Sequence, residues 1–154
     1  MIHNIVENLE YKELMESQIY EIIEFLLNQD EEFSLTANIN GVEFNPKVPE
    51  TISDTFPHFT LFTLANYTYS TIELSETHIS FETGFGAENF GSVVSIPLNA
   101  VFQVIVDDSI LFLNPTATVE KYFKKIKTEE IEDTDQQTRS FNAFKKNLKN
   151  KDLF

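Results

Sequence analysis

The sequence predicts an α+β, mainly β fold: one N-terminal helix, then an antiparallel, barrel-like sheet, then a polar tail. Three observations carry this. Apolar residues recur at three- and four-residue steps over Tyr11 to Asn28; the period then changes to two; and from Asn114-Pro115 onward the patterning weakens.

The helix spans residues 9–28. Tyr11, Leu14, Met15, Ile19, Ile22, Ile23, Leu26 and Leu27 form its apolar side, and Glu13, Glu16, Glu21 and Glu24 fill much of the rest. Asn8 is placed to cap the N-terminus, and Glu10 suits the positive end of the helix dipole. So wide an apolar face can cover a sheet or a second subunit. The acidic break Asp30-Glu31-Glu32 ends the helix, and the strands occupy 33–113.

Phe33 to Ile39 alternates, Asn40-Gly41 reads as a tight hairpin turn, and Val42-Glu43-Phe44 returns. Pro46, Pro49 and Pro57 bracket a loop at about 45–58, because proline cannot sit inside a paired strand. Further strands are expected at Phe59 to Ala65, Tyr69 to Leu74 and Thr77 to Phe85, with Ser75-Glu76 as the turn between the last two. Phe90 to Ile96 follows a glycine-punctuated loop, and Pro97 to Ala100 makes a short helical step. Phe102 to Val106 and Ile110 to Leu113 flank the turn at Asp107-Asp108-Ser109. The domain is expected to cover 1–118 and the tail 119–154. In the tail, Lys121 to Ile126 and Ser140 to Leu148 can form helical turns, with Thr128 to Thr138 as polar linker between them.

Composition bounds the function. The chain has 154 residues, 42% hydrophobic and 13% aromatic, with 15 Phe, enough apolar material for a core. It has no cysteine, which excludes a disulfide framework, a thiolate metal site and a cysteine nucleophile. His3, His58 and His78 stand singly, without metal-ligand spacing. No apolar run reaches membrane-spanning length and no secretion signal opens the sequence, so a cytoplasmic protein is expected. Two lysines against 19 acids give residues 1–120 a net charge of −17, and nine bases against six acids give the rest +3, making −14 for the chain. Such an acidic body repels phosphate backbones and argues against nucleic acid as a ligand.

No enzymatic motif emerges. Gly84-Phe85-Gly86 lacks the third glycine of a dinucleotide fingerprint and no helix follows it. Asp107-Asp108 reads as a solvated turn, and His58 and His78 as structural or exposed. Neither a catalytic residue, a metal nor a cofactor is expected.

The stretch from Phe56 to Asn114 nonetheless resembles a known family. Phe56-Pro57 followed by Phe59 to Ala65, then Ile72-Glu73-Leu74, then Ile79 to Gly86, then Val94-Ser95-Ile96-Pro97-Leu98-Asn99-Ala100-Val101, looks like the stringent starvation protein B (SspB) family. The leading helix and the Asn40-Gly41 turn occur in family order, so the resemblance covers about residues 9–118. It implies a small Sm-like β-fold with a peptide groove, homodimerised through the N-terminal helix, here Leu14, Ile19, Ile22, Ile23 and Leu26. It further implies a non-enzymatic adaptor that binds ssrA degradation tags on products of stalled ribosomes. A motif at the end of a flexible tail, here Leu148, Leu153 and Phe154, would dock on the N-terminal domain of ClpX and tether tagged polypeptides to the ClpXP protease.

Carried onto this sequence, the resemblance places peptide-binding positions at Thr63, Ala65, Asn66, Tyr67, Thr83, Phe85 and Val101. Phe62, Leu64, Phe81 and Val101 also read as core. If Phe62 and Leu64 point inward, strand alternation opens Thr63 and Ala65 to a ligand. One departure matters: Gly84 stands where well-known members carry a basic residue, whereas known tags contain acids. The competing reading keeps groove and dimer but gives them a different peptide and no unfoldase.

Overall fold

The computed structural model describes residues 3–124. Helix α1 runs Leu9–Asn28. Its entry is capped as expected: the Asn8 side chain accepts from the Tyr11 amide at 2.9 Å, satisfying one of the donors a first helical turn leaves orphaned. Its exit is a Schellman-type cap, with Asp30 left-handed (φ 57°) and the Glu31 amide reaching back to the Leu26 carbonyl at 2.9 Å. Lys12 and Glu16, one turn apart, pair at 2.8 Å.

Among the described residues eight strands follow, every pair antiparallel, so the α+β, mainly β reading stands. They are β1 (Phe33–Asn38), β2 (Glu43–Asn45), β3 (Phe59–Leu64), β4 (Glu73–Leu74), β5 (His78–Phe85), β6 (Phe90–Pro97), β7 (Val101–Val106) and β8 (Ser109–Leu113). They sort into two four-stranded sheets, ordered β3-β1-β7-β8 and β2-β6-β5-β4. Two short helices, α2 (Glu50–Ser53) and α3 (Asn66–Ser70), lie in the connections.

The inner faces of the two sheets meet in one core. Leu35 and Ala37 of β1, Leu64 of β3, Ile79 of β5, Val94 and Ile96 of β6, and Val101 and Val104 of β7 are all fully buried. Phe62 and Phe81 bridge the sheets edge to face, with ring centroids 5.7 Å apart. Helix α1 contributes Ile19, Ile23 and Leu26, spaced i, i+4, i+7. This corrects part of the dimer-helix expectation: those three side chains, and in part Ile22, are used by the protomer's own core, and Leu14 alone of the five stands exposed.

Two local expectations fail for identifiable reasons. Asn40-Gly41 is not a two-residue hairpin turn. The Asn38 side chain accepts from the Asn40 amide at 3.0 Å and sets a 3-10 turn over Ile39–Gly41, which carries the chain from one sheet into the other. Gly41 is required there by close packing, since a Cβ would lie 2.8 Å from the Phe123 ring and 2.9 Å from Ala100 Cβ. The segment Tyr69 to Leu74, expected as a strand, is the end of α3 and the two-residue β4. The Ser70 and Thr71 hydroxyls bond back to the carbonyls of Tyr67 and Thr68 (2.6 and 2.7 Å), a local satisfaction that outcompetes strand pairing.

The packed unit also runs past residue 118, to Lys124, because Val119 and Phe123 are buried. Asn114, fully buried, stitches this end down: its amide donates to the carbonyls of Asn99 (3.1 Å) and Val101 (2.8 Å), and its oxygen accepts from the Thr116 amide and hydroxyl. Glu120 adds bonds from Asn38 (3.0 Å), Asn40 (3.2 Å) and His58 (2.6 Å). The Ser140 to Leu148 segment and the docking residues Leu148, Leu153 and Phe154 lie outside the described residues. Among the described residues no helix is long and apolar enough to cross a membrane.

Candidate functional site: a groove beside the uncovered half of β5

Strand β5 has eight residues, but its outer neighbour β4 pairs with only two of them, Ile79 and Ser80. Beyond β4, the Glu82 amide donates to the Thr71 hydroxyl at 2.8 Å, and from Thr83 onward no strand among the described residues covers that side. In an antiparallel ladder alternate residues aim their backbone groups at opposite edges. Ser80 pairs toward β4 and Glu82 points the same way, so Gly84 presents its N–H and C=O to open space.

A cavity of about 640 Å³ lies against this bare stretch. One wall is Ala65, at the end of β3, with Asn66, Tyr67 and Thr68 at the start of α3; facing it are Glu82, Thr83 and Gly84 of β5. Gly91, Ser92 and Val93 of β6 and Asn45-Pro46 after β2 complete it, with Asn89 at the hairpin end. The walls are held by specific bonds. Glu32 accepts from the Asn66 amide at 2.9 Å, fixing the left-handed entry (φ 56°) into α3. Ser92 Oγ donates to the Pro46 carbonyl at 2.8 Å, and Tyr67 Oη donates to Glu82 Oε1 at 2.7 Å across the groove. That bond and the Glu82 charge, with some burial, push the Tyr67 phenol up from its ordinary pKa.

Two asparagines of the lining, Asn66 and Asn89 (φ 54°), sit in the left-handed region, where asparagine is tolerated better than most residues. Gly84 is there because a Cβ would collide with the Asn89 side-chain amide, and opposite it Gly91 leaves open space. Floor and rim thus offer backbone groups, amides and hydroxyls, with Glu82 as the one charged side chain of the lining. The arrangement suits an extended chain that pairs with the β5 edge and is read by its side chains.

Of the seven expected peptide-binding positions, Ala65, Asn66, Tyr67 and Thr83 converge on this cavity. The other three do not line it. Phe62 and Leu64 point inward as alternation requires, but Thr63 then faces out from the other sheet, opposite Ser34, with the hydroxyls 3.5 Å apart. Phe85 packs in an aromatic cluster with Phe44 and Phe56, ring centroids 5.6 Å away from each. Val101 is wholly buried core. Sequence reasoning missed Glu82, Asn89, Ser92 and the Asn45-Pro46 wall. The one available signal was Gly84 and Gly91 flanking a hairpin, since side-chain-free strand positions admit a close backbone approach.

Among the described residues no group of three His, Asp or Glu is placed to hold a metal. No protein-family model matches the chain, and no curated protein matches it.

Proposed function

We propose that this protein is a non-enzymatic, cytoplasmic adaptor that binds ssrA-type degradation tags in the groove and tethers tagged polypeptides to ClpXP. The observation that carries the reading is one convergence. Ala65, Asn66, Tyr67 and Thr83, chosen from the resemblance to the SspB family, come together on a single cavity beside an unpaired strand edge. An extended tag would bond its backbone to β5, and the C-terminal residues Leu148, Leu153 and Phe154 would engage the N-terminal domain of ClpX. Binding at two points raises the local concentration of substrate at the unfoldase without new chemistry. Homodimerisation would use the outer stripe of α1, where Leu14 and Phe25, three turns apart, are both exposed.

The test is a titration of a fluorescent peptide of the host's own ssrA tag, with Thr83→Gln as control, followed by ClpXP degradation assays with residues 140–154 deleted. Micromolar binding abolished by the substitution, and delivery lost on deletion with binding intact, is the expected result. Binding without any tail-dependent delivery would favour the second reading, a peptide-binding module with another partner. One feature of the groove favours that reading: its lining holds no cation to meet an acidic tag.

A further inference from the structure

We propose that the groove selects an extended peptide carrying a lysine or arginine beside Glu82 and discriminates against aspartate or glutamate there. This rests on the peptide-groove reading and narrows it to a ligand class: an ssrA-type tag fits it only where the acids of the tag lie away from Glu82, and a basic peptide of another kind fits the second reading.

Glu82 is the single charged side chain of the lining, and it stands on the outer face of β5 opposite Val93. One carboxylate oxygen, Oε1, is held by Tyr67 Oη at 2.7 Å, which fixes the position of the group. The three ion pairs among the described residues are Lys12–Glu16, His58–Glu120 and Lys121–Glu7, so none of them involves Glu82. The carboxylate thus faces the cavity with acceptor capacity left on Oε2, within reach of a strand laid along the β5 edge. A strand laid on the open edge pairs at Gly84, which leaves Glu82 diagonal to it and within reach of a long side chain; opposite charges so placed attract and like charges repel. The remaining polar lining, the amides of Asn45, Asn66 and Asn89 and the hydroxyls of Tyr67, Thr68, Thr83 and Ser92, is neutral. Nothing in it offsets an acidic ligand. Over residues 3–124 there are 19 acids and only four lysines, Lys12, Lys47, Lys121 and Lys124. The surrounding field therefore draws cations in and turns anions away, an effect on encounter that adds to the contact itself.

The experiment selects short random peptides displayed on phage against the full chain, in parallel with Glu82→Gln, Glu82→Lys, Thr83→Gln and Ala65→Gln variants. Selected peptides are then synthesised and titrated by fluorescence anisotropy. The expected result is enrichment of peptides with a Lys or Arg at one position. Their affinity falls about tenfold in Glu82→Gln, and Glu82→Lys shifts the preference to Asp or Glu. Peptides that lose binding in Thr83→Gln or Ala65→Gln, yet are acidic or indifferent to Glu82→Gln, would overturn the charge selectivity and leave the groove standing. Enrichment of no peptide sensitive to Thr83→Gln or Ala65→Gln would overturn the groove reading itself, and this inference with it.

Discussion

The two sheets have the same number of strands and opposite edges. In β3-β1-β7-β8, the edge strand β3 runs the full six residues of β1, and β8 supplies five against the six of β7. In β2-β6-β5-β4, a hairpin of two eight-residue strands is flanked by edges of three and two residues. In the first sheet the edge strands match their inner neighbours, so no inner strand is left uncovered and the sheet is closed in that sense. The second outruns its own edges, and the groove forms where it does. An unpaired strand edge is a liability that proteins normally shorten or cover; here a helix start, two glycines and three asparagines surround it instead. A groove can thus be made by withholding two short stretches of β-structure rather than by adding a motif.

The sharpest way to break this comparison is to remove what joins the sheets. Phe81→Ala should cost about 3–5 kcal/mol, because the ring is buried and meets Phe62 across the interface. Urea denaturation would show it, and a cost below about 1 kcal/mol would mean the sheets are not packed as described. Next is Asn114→Ala, which strands two buried carbonyls and two donors of Thr116. A loss of about 3 kcal/mol is expected by the same assay.

Substitutions on the uncovered half of β5 should behave in the reverse way. Thr83→Gln should abolish peptide binding while changing stability by less than about 1 kcal/mol, and a comparable insertion at Thr63, on the closed sheet, should leave binding intact. Equal effects at the two positions would erase the distinction between the sheets.

The smallest expected effect concerns pH. Burial pushes the Glu120 carboxyl up, but hydrogen bonds from Asn38 and Asn40 and the partnership with His58 outweigh it and hold the pKa below the usual carboxylate range. A depressed folded-state value contributes stability above the unfolded pKa, lost as pH falls through the folded one. Glu120→Gln should therefore lower the thermal midpoint slightly at neutral pH and flatten its decline on acidification. An unchanged acid limb would show that Glu120 is not the group responsible.

Much of the closed architecture was legible in the sequence, and the open part less so. Periods of 3.6 and 2 located α1 and most strands, because side-chain pattern reports directly on which face meets the core. Asn8 could be read as a cap because the chemistry of that position is local. The Asn40-Gly41 turn was misread because its partner is distant: Phe123, 82 residues on, packs where a Cβ of Gly41 would sit. Tyr69 has strand-like chemistry, and nothing local revealed that the Ser70 and Thr71 hydroxyls would close a helical turn. The groove was half visible. Ala65 and Thr83 followed from alternation and resemblance, but Glu82 looked like any outward acid on a strand. Its meaning depends on where β4 stops, a length set by tertiary pairing.

The most direct test of the open edge is at the Gly84 amide. Titrating the host's ssrA-tag peptide into isotopically labelled protein and following backbone amides by NMR should shift Gly84 and protect it from hydrogen exchange. Ser80, already paired with β4, should change little. Peptide-induced shifts confined to α1 or to the outer face of the closed sheet, at Leu61 and Leu113, with Gly84 still exchanging freely, would contradict a groove at the uncovered half of β5.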